Sequence, residues 1–305
     1  MARTRYASDR GLTSRMLVTM FLLGLVYVVF VGAFFVFVPS WAVVALVVAV
    51  LFLLAQYFFS DRMTLFAMHG RVVSPEEAPE LHGVIDRICA MSDAPKPRVA
   101  IADTDVPNAF ATGRNQKKAV VCVTTGLLRR LDRVELEGVL AHEMAHVAHK
   151  DVAVMTLASF LGILAGLVTR FGLQWGLWGG FGRRNNDQNT GLVLLAVVAA
   201  SALAYAVSFL LTRALSRYRE LSADRAAALL TGRPSALASA LTKVSGEIAR
   251  IPTNDLRSSQ AFNAFFFTPA LGRGFSVSSL FSTHPPLDRR LAQLSKISEQ
   301  LSRGV

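Results

Sequence analysis

The residues best suited to chemistry stand together at His142-Glu143-Met144-Ala145-His146, and three of the six histidines (His142, His146 and His149) fall within eight residues. On a helix, positions i and i+4 share one face about 6 Å apart. Two imidazoles so placed can converge on one Zn2+ at about 2.0–2.1 Å. Glu143 then stands beside the ion rather than on it, where a carboxylate can take a proton from water. A hydrolytic site of this kind needs a third protein ligand and an open fourth position. A third histidine six residues after His146 would complete one common spacing, but that position is Val152. His149 reads as a local hydrogen-bonding residue. The best remaining candidate is Glu220, in Arg219-Glu220-Leu221-Ser222-Ala223-Asp224. Glu220 and Asp224 are i and i+4 on one predicted helix, so Glu220 can ligate while Asp224 accepts the free N–H of a ligand histidine and fixes its tautomer. Taken alone, with Arg217, Arg219 and Arg225 around them, the two acids suit a solvated charged face better.

The chain that must position these groups is not wholly soluble. Of its 305 residues 52% are hydrophobic and only 17% charged, and the mean hydropathy is +0.42. Soluble domains carry about 25% charged residues. The same composition excludes disorder, and two cysteines exclude a disulfide scaffold. Four apolar stretches stand out: Leu17–Val38, Trp41–Phe59, Val152–Val168 and Gly191–Leu211, of 22, 19, 17 and 21 residues. The first, as a helix, rises about 33 Å, enough for a hydrocarbon core of about 30 Å. It is also longer than the apolar segment of about 7–15 residues in a cleaved signal peptide.

Residues 16–59, with only Pro39-Ser40 between the two stretches, are expected to form one transmembrane hairpin, and 152–211 a second. The loop 169–190 between the later pair, with Trp175 and Trp178, suits the opposite membrane interface. Four Lys/Arg lie in 1–15, twelve in 60–150 and thirteen in 213–305, so 29 of the 32 fall on one side. The positive-inside rule makes that side cytoplasmic. The basic tail 1–15 and the polar segments 60–151 and 212–305 are therefore expected in the cytosol. The net charge of +11 is accounted for without nucleic acid, and some of it can meet anionic lipid headgroups. Cys89 and Cys122 are expected as free thiols in a reducing compartment.

Two spans separate the histidine helix from the Glu220 helix, so both sets of candidate ligands emerge on one side. Six residues from His146 to Val152 make about 9 Å of helix, and nine from Leu211 to Glu220 about 13.5 Å. The depths agree, and put the metal roughly 10–15 Å beyond the hydrocarbon edge. Around it the sequence predicts a helix from Pro75 to Met91, with Glu76 and Glu77 in its first turn. Three strands follow at Arg98–Ala102, Asn108–Gly113 and Ala119–Thr124, the last two paired as a hairpin around Asn115. A helix from Asp132 to Asp151 runs into the third span. Helices over Thr212–Leu230 and Ser235–Ala249 come next, and one from Pro285-Pro286 to Ser302 closes the chain. Residues 251–281 show no period, and Phe262, Phe265, Phe266 and Phe267 within them suit buried packing.

Together these pieces resemble the HtpX family of membrane-bound zinc metalloproteases, part of the broader group that includes CAAX-prenyl endopeptidases. The resemblance rests on Asn108-Ala109-Phe110-Ala111-Thr112-Gly113, on His142–His146 followed by Asp151, on Glu220 and Asp224, and on Ser282-Thr283-His284-Pro285-Pro286. It implies a mainly α membrane protein with four transmembrane helices and a cytosolic zincin-like α+β catalytic domain containing a small sheet. One Zn2+ per chain is expected on His142, His146 and Glu220, with Glu143 as general base and Asp224 behind a ligand histidine. His284 is expected near the site, as oxyanion donor or as a movable group. Asn108, Ala109 and Phe110 resemble the family's edge strand, on which an extended substrate adds.

The implied activity is endoproteolysis in a bacterial cytoplasmic membrane, on misfolded or damaged membrane proteins, as part of quality control and stress response. A scaffold or adaptor with a structural zinc is the alternative, and would close the fourth position with His284 or His149. A channel or transporter is disfavoured, because the predicted spans contain no ionisable group.

Overall fold

In a computed structural model of the chain, the described residues are 10–37, 68–113, 115–175, 188–248 and 284–303, with isolated positions between 47 and 66. Most of the predicted span Trp41–Phe59, its Pro39-Ser40 turn, Trp178 and the whole of 251–281 lie outside them. The chain divides into two compact units, one made of residues 1–14, 58–153 and 216–305, the other of 15–57 and 154–215.

The first unit is built on a four-stranded sheet. Its strands are β1 (Gly70–Val72), β2 (Arg98–Ala102), β3 (Ala109–Thr112) and β4 (Val120–Thr124), in the order β1-β2-β4-β3. Strands β2 and β4 are parallel, while β1 on β2 and β3 on β4 are antiparallel. The alternation of side chains along each strand separates two faces. Val99, Ala109, Val121 and Val123 point into the main core, whereas Ala100, Ala102, Phe110, Val120 and Cys122 form a smaller cluster on the other side. The main core is completed by helices α2 (Pro79–Ser92), α4 (Arg133–Ala148), α7 (Pro234–Ile248) and α8 (Leu287–Ser302), after the one-turn helix α3 (Thr125–Leu128). They contribute Ile85, Ile88, Leu140, Met144, Leu237, Leu241, Leu294 and Ile297 to it.

Helix α4, which carries His142 and His146, is fixed at its start by a capping box. Asp132 accepts the N–H groups of Val134 and Glu135, and Glu135 reaches back to the Asp132 N–H. Glu135 also accepts Ser239 Oγ at 2.6 Å and Lys243 Nζ at 2.7 Å, tying that turn to α7.

The second unit contains most of α1 (Arg10–Phe37) and the apolar parts of α5 (Asp151–Trp175) and α6 (Gln188–Thr231). Small residues let its helices approach closely: a Cβ on Gly166 would lie 3.2 Å from the Tyr205 ring. Thr212 Oγ1 donates to the Ala158 carbonyl at 3.2 Å. Leu17, Phe21, Val28 and Leu203 are exposed, as side chains facing lipid would be. Among the described residues, Thr13–Phe30 and Leu195–Thr231 are long and apolar enough to cross a membrane, and Val154–Arg170 is a shorter apolar helix.

Three local features differ from the sequence expectation. Helix α2 begins at Pro79, not Pro75, because Ser74–Glu77 forms a turn of its own: Glu77 accepts the Ser74 N–H at 2.8 Å and pairs with Arg71. Helices α5 and α6 reach to Trp175 and from Gln188, into the expected loop 169–190, since no proline stops them where the apolar stretches end. Third, α4 does not run on into α5. It stops at Ala148, Lys150 adopts φ 58°, and α5 starts at Asp151. A left-handed residue just past a helix end is usually glycine, since a Cβ there costs about 1–2 kcal/mol. Lys150→Gly should therefore raise the thermal unfolding midpoint of the detergent-solubilised protein, while Lys150→Val should lower it. Equal midpoints for the two variants would contradict a strained turn at this position.

Candidate metal centre

Helix α4 presents His142 and His146 one turn apart, and the C-terminal part of α6 brings Glu220 against them. The ligand-capable atoms of the three lie within 4.8 Å of one another. His142 Nε2 and His146 Nε2 are 3.1 Å apart, His146 Nε2 is 3.3 Å from Glu220 Oε1, and His142 Nε2 is 3.7 Å from Glu220 Oε2. Four ligands at about 2.0–2.1 Å in a tetrahedron are separated by about 3.3–3.4 Å; the His142–His146 and His146–Glu220 Oε1 distances are close to that spacing, while the 3.7 Å from His142 runs to the other oxygen of Glu220. Two ring nitrogens aimed at each other also require a proton or a cation between them. The donor set suits a divalent metal.

Each histidine is held from behind. His142 Nδ1 lies 2.9 Å from Asp224 Oδ1, and His146 Nδ1 lies 2.5 Å from Asp151 Oδ2. Each of those carboxylates meets an arginine. Arg290 grips Asp224 with two bonds of 2.7 and 2.6 Å, and Arg219 reaches Asp151 at 2.7 Å. Arg290, only 1% exposed, also stands 3.7 Å from Glu220 Oε2. His284, at the start of the last described segment, places Nδ1 2.9 Å from the same Glu220 oxygen.

Glu143 faces the sheet. Its Oε2 accepts the Ala111 N–H at 3.0 Å. That donor is available because β3 is an edge strand among the described residues. Asn108 pairs with Thr124, its carbonyl accepting the Thr124 N–H at 2.9 Å, so ladder bonds fall on alternate residues from 108. Ala109 and Ala111 turn their backbone groups away from β4. The backbone of Asn108 and the Phe110 side chain face inward, Phe110 packing under the sheet.

The electrostatics follow from burial and pairing. Burial pushes the Glu143 carboxyl up to about 7, against the opposing pull of His146. For His142 burial also dominates and holds the ring below its ordinary value despite Asp224. Burial would depress His146 as well, but hydrogen bonds to Asp151 and Glu220 outweigh it and lift that ring to about 10. The carboxylates of Asp151, Glu220 and Asp224 stay below their usual range. Burial opposes this in each, and Arg219, His284 and Arg290 respectively prevail over it.

The sequence-predicted residues His142, Glu143, His146, Glu220, Asp224 and His284 are thus brought into one cluster, with Ala109 on the adjacent edge strand. His149 caps α4 through its backbone and is not in the ligand group. Sequence reasoning gave no role to Asp151 and took Arg219 for a solvated charge. It missed Arg290, although that residue, with Leu294 and Ile297, forms the buried stripe of an otherwise polar helix. A charge in an apolar stripe is the signal that could have found it.

Two imidazoles each backed by a carboxylate, with a third carboxylate against both and a fourth beside them, in a chain with long apolar helices, have the makings of a metal-dependent membrane enzyme. Residues 75–298 match peptidase family M48. Protease HtpX homolog 1 of Streptomyces coelicolor is 64% identical over 302 residues, 99% of this chain and 98% of that one. Protease HtpX homolog 2 of Methanosarcina mazei is 50% identical over 300 residues, 98% of this chain and 100% of that one. The crystal structure of S. mikatae Ste24p is similar in fold, with a TM-score of 0.51 at 18% identity, over 94% of this chain and 67% of that chain. The chain belongs to peptidase family M48, among its HtpX proteases.

The cluster makes a prediction about pH. A His146 ring with its pKa raised above 6.5 to about 10 holds a proton at pH 7 in the metal-free protein. Metal binding must displace it. Calorimetric titration of Zn2+ at pH 7, in two buffers of different ionisation enthalpy, should report release of about one proton per ion, and affinity should fall as the pH is lowered. Identical heats in the two buffers would show that the ring is already neutral.

Proposed function

We propose that this protein is a zinc-dependent endopeptidase of the bacterial cytoplasmic membrane that cleaves misfolded or damaged membrane proteins. The carrying observation is the placement of Glu143 between the His142–His146–Glu220 group and the outward edge of β3. His142, His146 and Glu220 would hold one Zn2+, which when bound acidifies water and polarises a carbonyl.

The remaining work falls to the chain. An extended substrate adds to β3 through the backbone groups of Ala109 and Ala111, as a further strand. This presents its scissile peptide to Glu143. Glu143, pushed up to about 7, takes the proton of the attacking water and passes it to the leaving amine. His284 stands at the same cluster, 2.9 Å from Glu220, and donates to the oxyanion that develops on the carbonyl. Asp224 keeps His142 in the tautomer that offers Nε2.

Four spans, with the N-terminus and the catalytic part in the cytosol, are supported by the four apolar stretches and the one-sided Lys/Arg distribution. On that topology the partners are protein substrates and the lipid bilayer, with no role for nucleic acid.

The test compares wild type with Glu143→Gln in detergent. Both should hold about one zinc by elemental analysis, since Glu143 is not a ligand. Cleavage of an unfolded protein should fall by about 10²–10⁴ in the variant, the usual contribution of a general base. If both hold zinc and neither cleaves unfolded or membrane-protein substrates, the site is structural and the peptidase reading fails.

A second prediction concerns His284. His284→Ala should lower kcat by about 10²-fold or more, as loss of an oxyanion donor does, with KM little changed. A change confined to KM would assign it to substrate binding instead.

A further inference from the structure

We propose that Asp151 and Arg219 are positioning residues for the metal centre, which lock the His146 ligand to the Glu220 ligand across two helices. The inference rests on the reading of His142, His146 and Glu220 as the ligands, and concerns residues that reading leaves without a role.

The geometry is particular. Asp151 lies five residues after His146, and on an unbroken helix of 3.6 residues per turn it would point about 140° away from it. The turn at Lys150, φ 58°, ends α4 and starts α5 on a new course. That break carries the Asp151 carboxylate back onto His146 Nδ1 at 2.5 Å. The same Oδ2 atom receives Arg219 at 2.7 Å. Arg219 is joined by one peptide bond to Glu220, whose Oε1 lies 3.3 Å from His146 Nε2. The contacts close a loop: His146, Asp151, Arg219, Glu220 and back to His146. Its two ligands come from different helices, and the Asp151–Arg219 pair fixes their separation from the side away from the metal. On His142 the Asp224–Arg290 pair has the same form.

A purely structural ion pair is the competing explanation. Buried pairs contribute little net stability, and apolar replacements often do as well. A pair whose one carboxylate oxygen is shared with a ligand imidazole has a further consequence that can be measured. Removing it frees the ring to turn and tautomerise, which weakens metal binding in folded protein.

The experiment uses the full-length protein in detergent, stripped with chelator and titrated with Zn2+ against a chromophoric competitor. Wild type is compared with Asp151→Asn, Arg219→Gln, the double variant and Glu137→Gln. Glu137 is a control on the same helix, where its buried carboxylate pairs at 2.9 Å with the exposed Arg87. Asp151→Asn should weaken Zn2+ binding by about 10–100-fold, and Arg219→Gln should weaken it as well. The double variant should be no weaker than Asp151→Asn to within about twofold, because both residues act through one contact. Glu137→Gln should lower the unfolding midpoint and leave zinc affinity unchanged.

If wild type binds and both Asp151→Asn and Arg219→Gln bind equally well, the pair is structural and the proposal is overturned. Should Asp151→Asn fail to fold, Arg219→Gln alone decides. Wild type that does not bind zinc removes the metal reading itself, a failure distinct from that of the pair.

Discussion

Keeping four carboxylates in one buried place, most of them charged, is the constraint on which the rest of this structure depends. Glu143, Asp151, Glu220 and Asp224 are each less than 9% exposed, and all lie within one side chain of the two histidines. Like charges brought so close out of water repel strongly, and each must be met by a cation or a donor. Arg219, Arg290, the imidazoles and the Ala111 N–H are those partners. The elements that carry them, α4, β3, α6 and α8, are held at the spacing the charges require. The small residues of α4 follow from the same need: a Cβ on Gly138 would stand 3.3 Å from the Leu237 backbone, so α7 can lie close behind the histidine face.

The sheet serves the site through its register. Because β3 is outermost and its ladder bonds fall on Asn108, Phe110 and Thr112, the outward groups belong to Ala109 and Ala111. A shift of one residue would exchange them. Glu143 would lose its donor and the Phe110 ring would move from the lower cluster to the helix side. Asn108 secures the register from the end of the strand, its N–H on Thr124 Oγ1 at 2.9 Å and its carbonyl on the Thr124 N–H. The hairpin turn holds the other end, where Asn115 accepts the Lys118 N–H at 2.9 Å. Glu143 and the outward edge of β3 are thus aligned by backbone pairing some way from the candidate metal ligands.

Much of this was legible in the sequence where a local rule governs the outcome. The i,i+4 spacing of His142 with His146, and of Glu220 with Asp224, is a property of any α-helix. The strand Arg98–Ala102 reads directly from its residues and has those bounds in the structure. Helix α8 was legible from Pro285-Pro286 and its apolar period. Legibility fails where a residue does something its type rarely does. Lys150 occupies a left-handed position that glycine usually fills, so no breaker marks the end of α4. Without that break Asp151 reads as the last turn of one long helix. Arg219 and Arg290 read as surface charges because arginine is seldom buried. Only the three-dimensional clustering of acids shows why these two are. Strand β1 is three residues long, too short for alternation to reveal.

The arginines also set what a metal held here would experience. The fixed groups around the ligand atoms carry three carboxylate charges, on Asp151, Glu220 and Asp224, and two guanidinium charges, on Arg219 and Arg290. Their formal sum is one negative charge, apart from Glu143, which at about 7 divides its time between two states. A divalent ion added to that cage would leave it one positive charge, and would so keep an attraction for a carbonyl oxygen or for water. Without the two arginines the same carboxylates would outweigh the ion and leave the cage negative. The aspartates orient the imidazoles, and on that ground alone two uncharged acceptors would serve. Carboxylates make the imidazoles better donors to the metal, and the arginines behind them prevent that gain from quenching the ion's charge. The ordering imidazole, carboxylate, guanidinium, repeated on both histidines, would let a bound metal keep its positive charge while its imidazoles are held in place, and it ties Arg219 and Arg290 to the candidate ligands they stand behind.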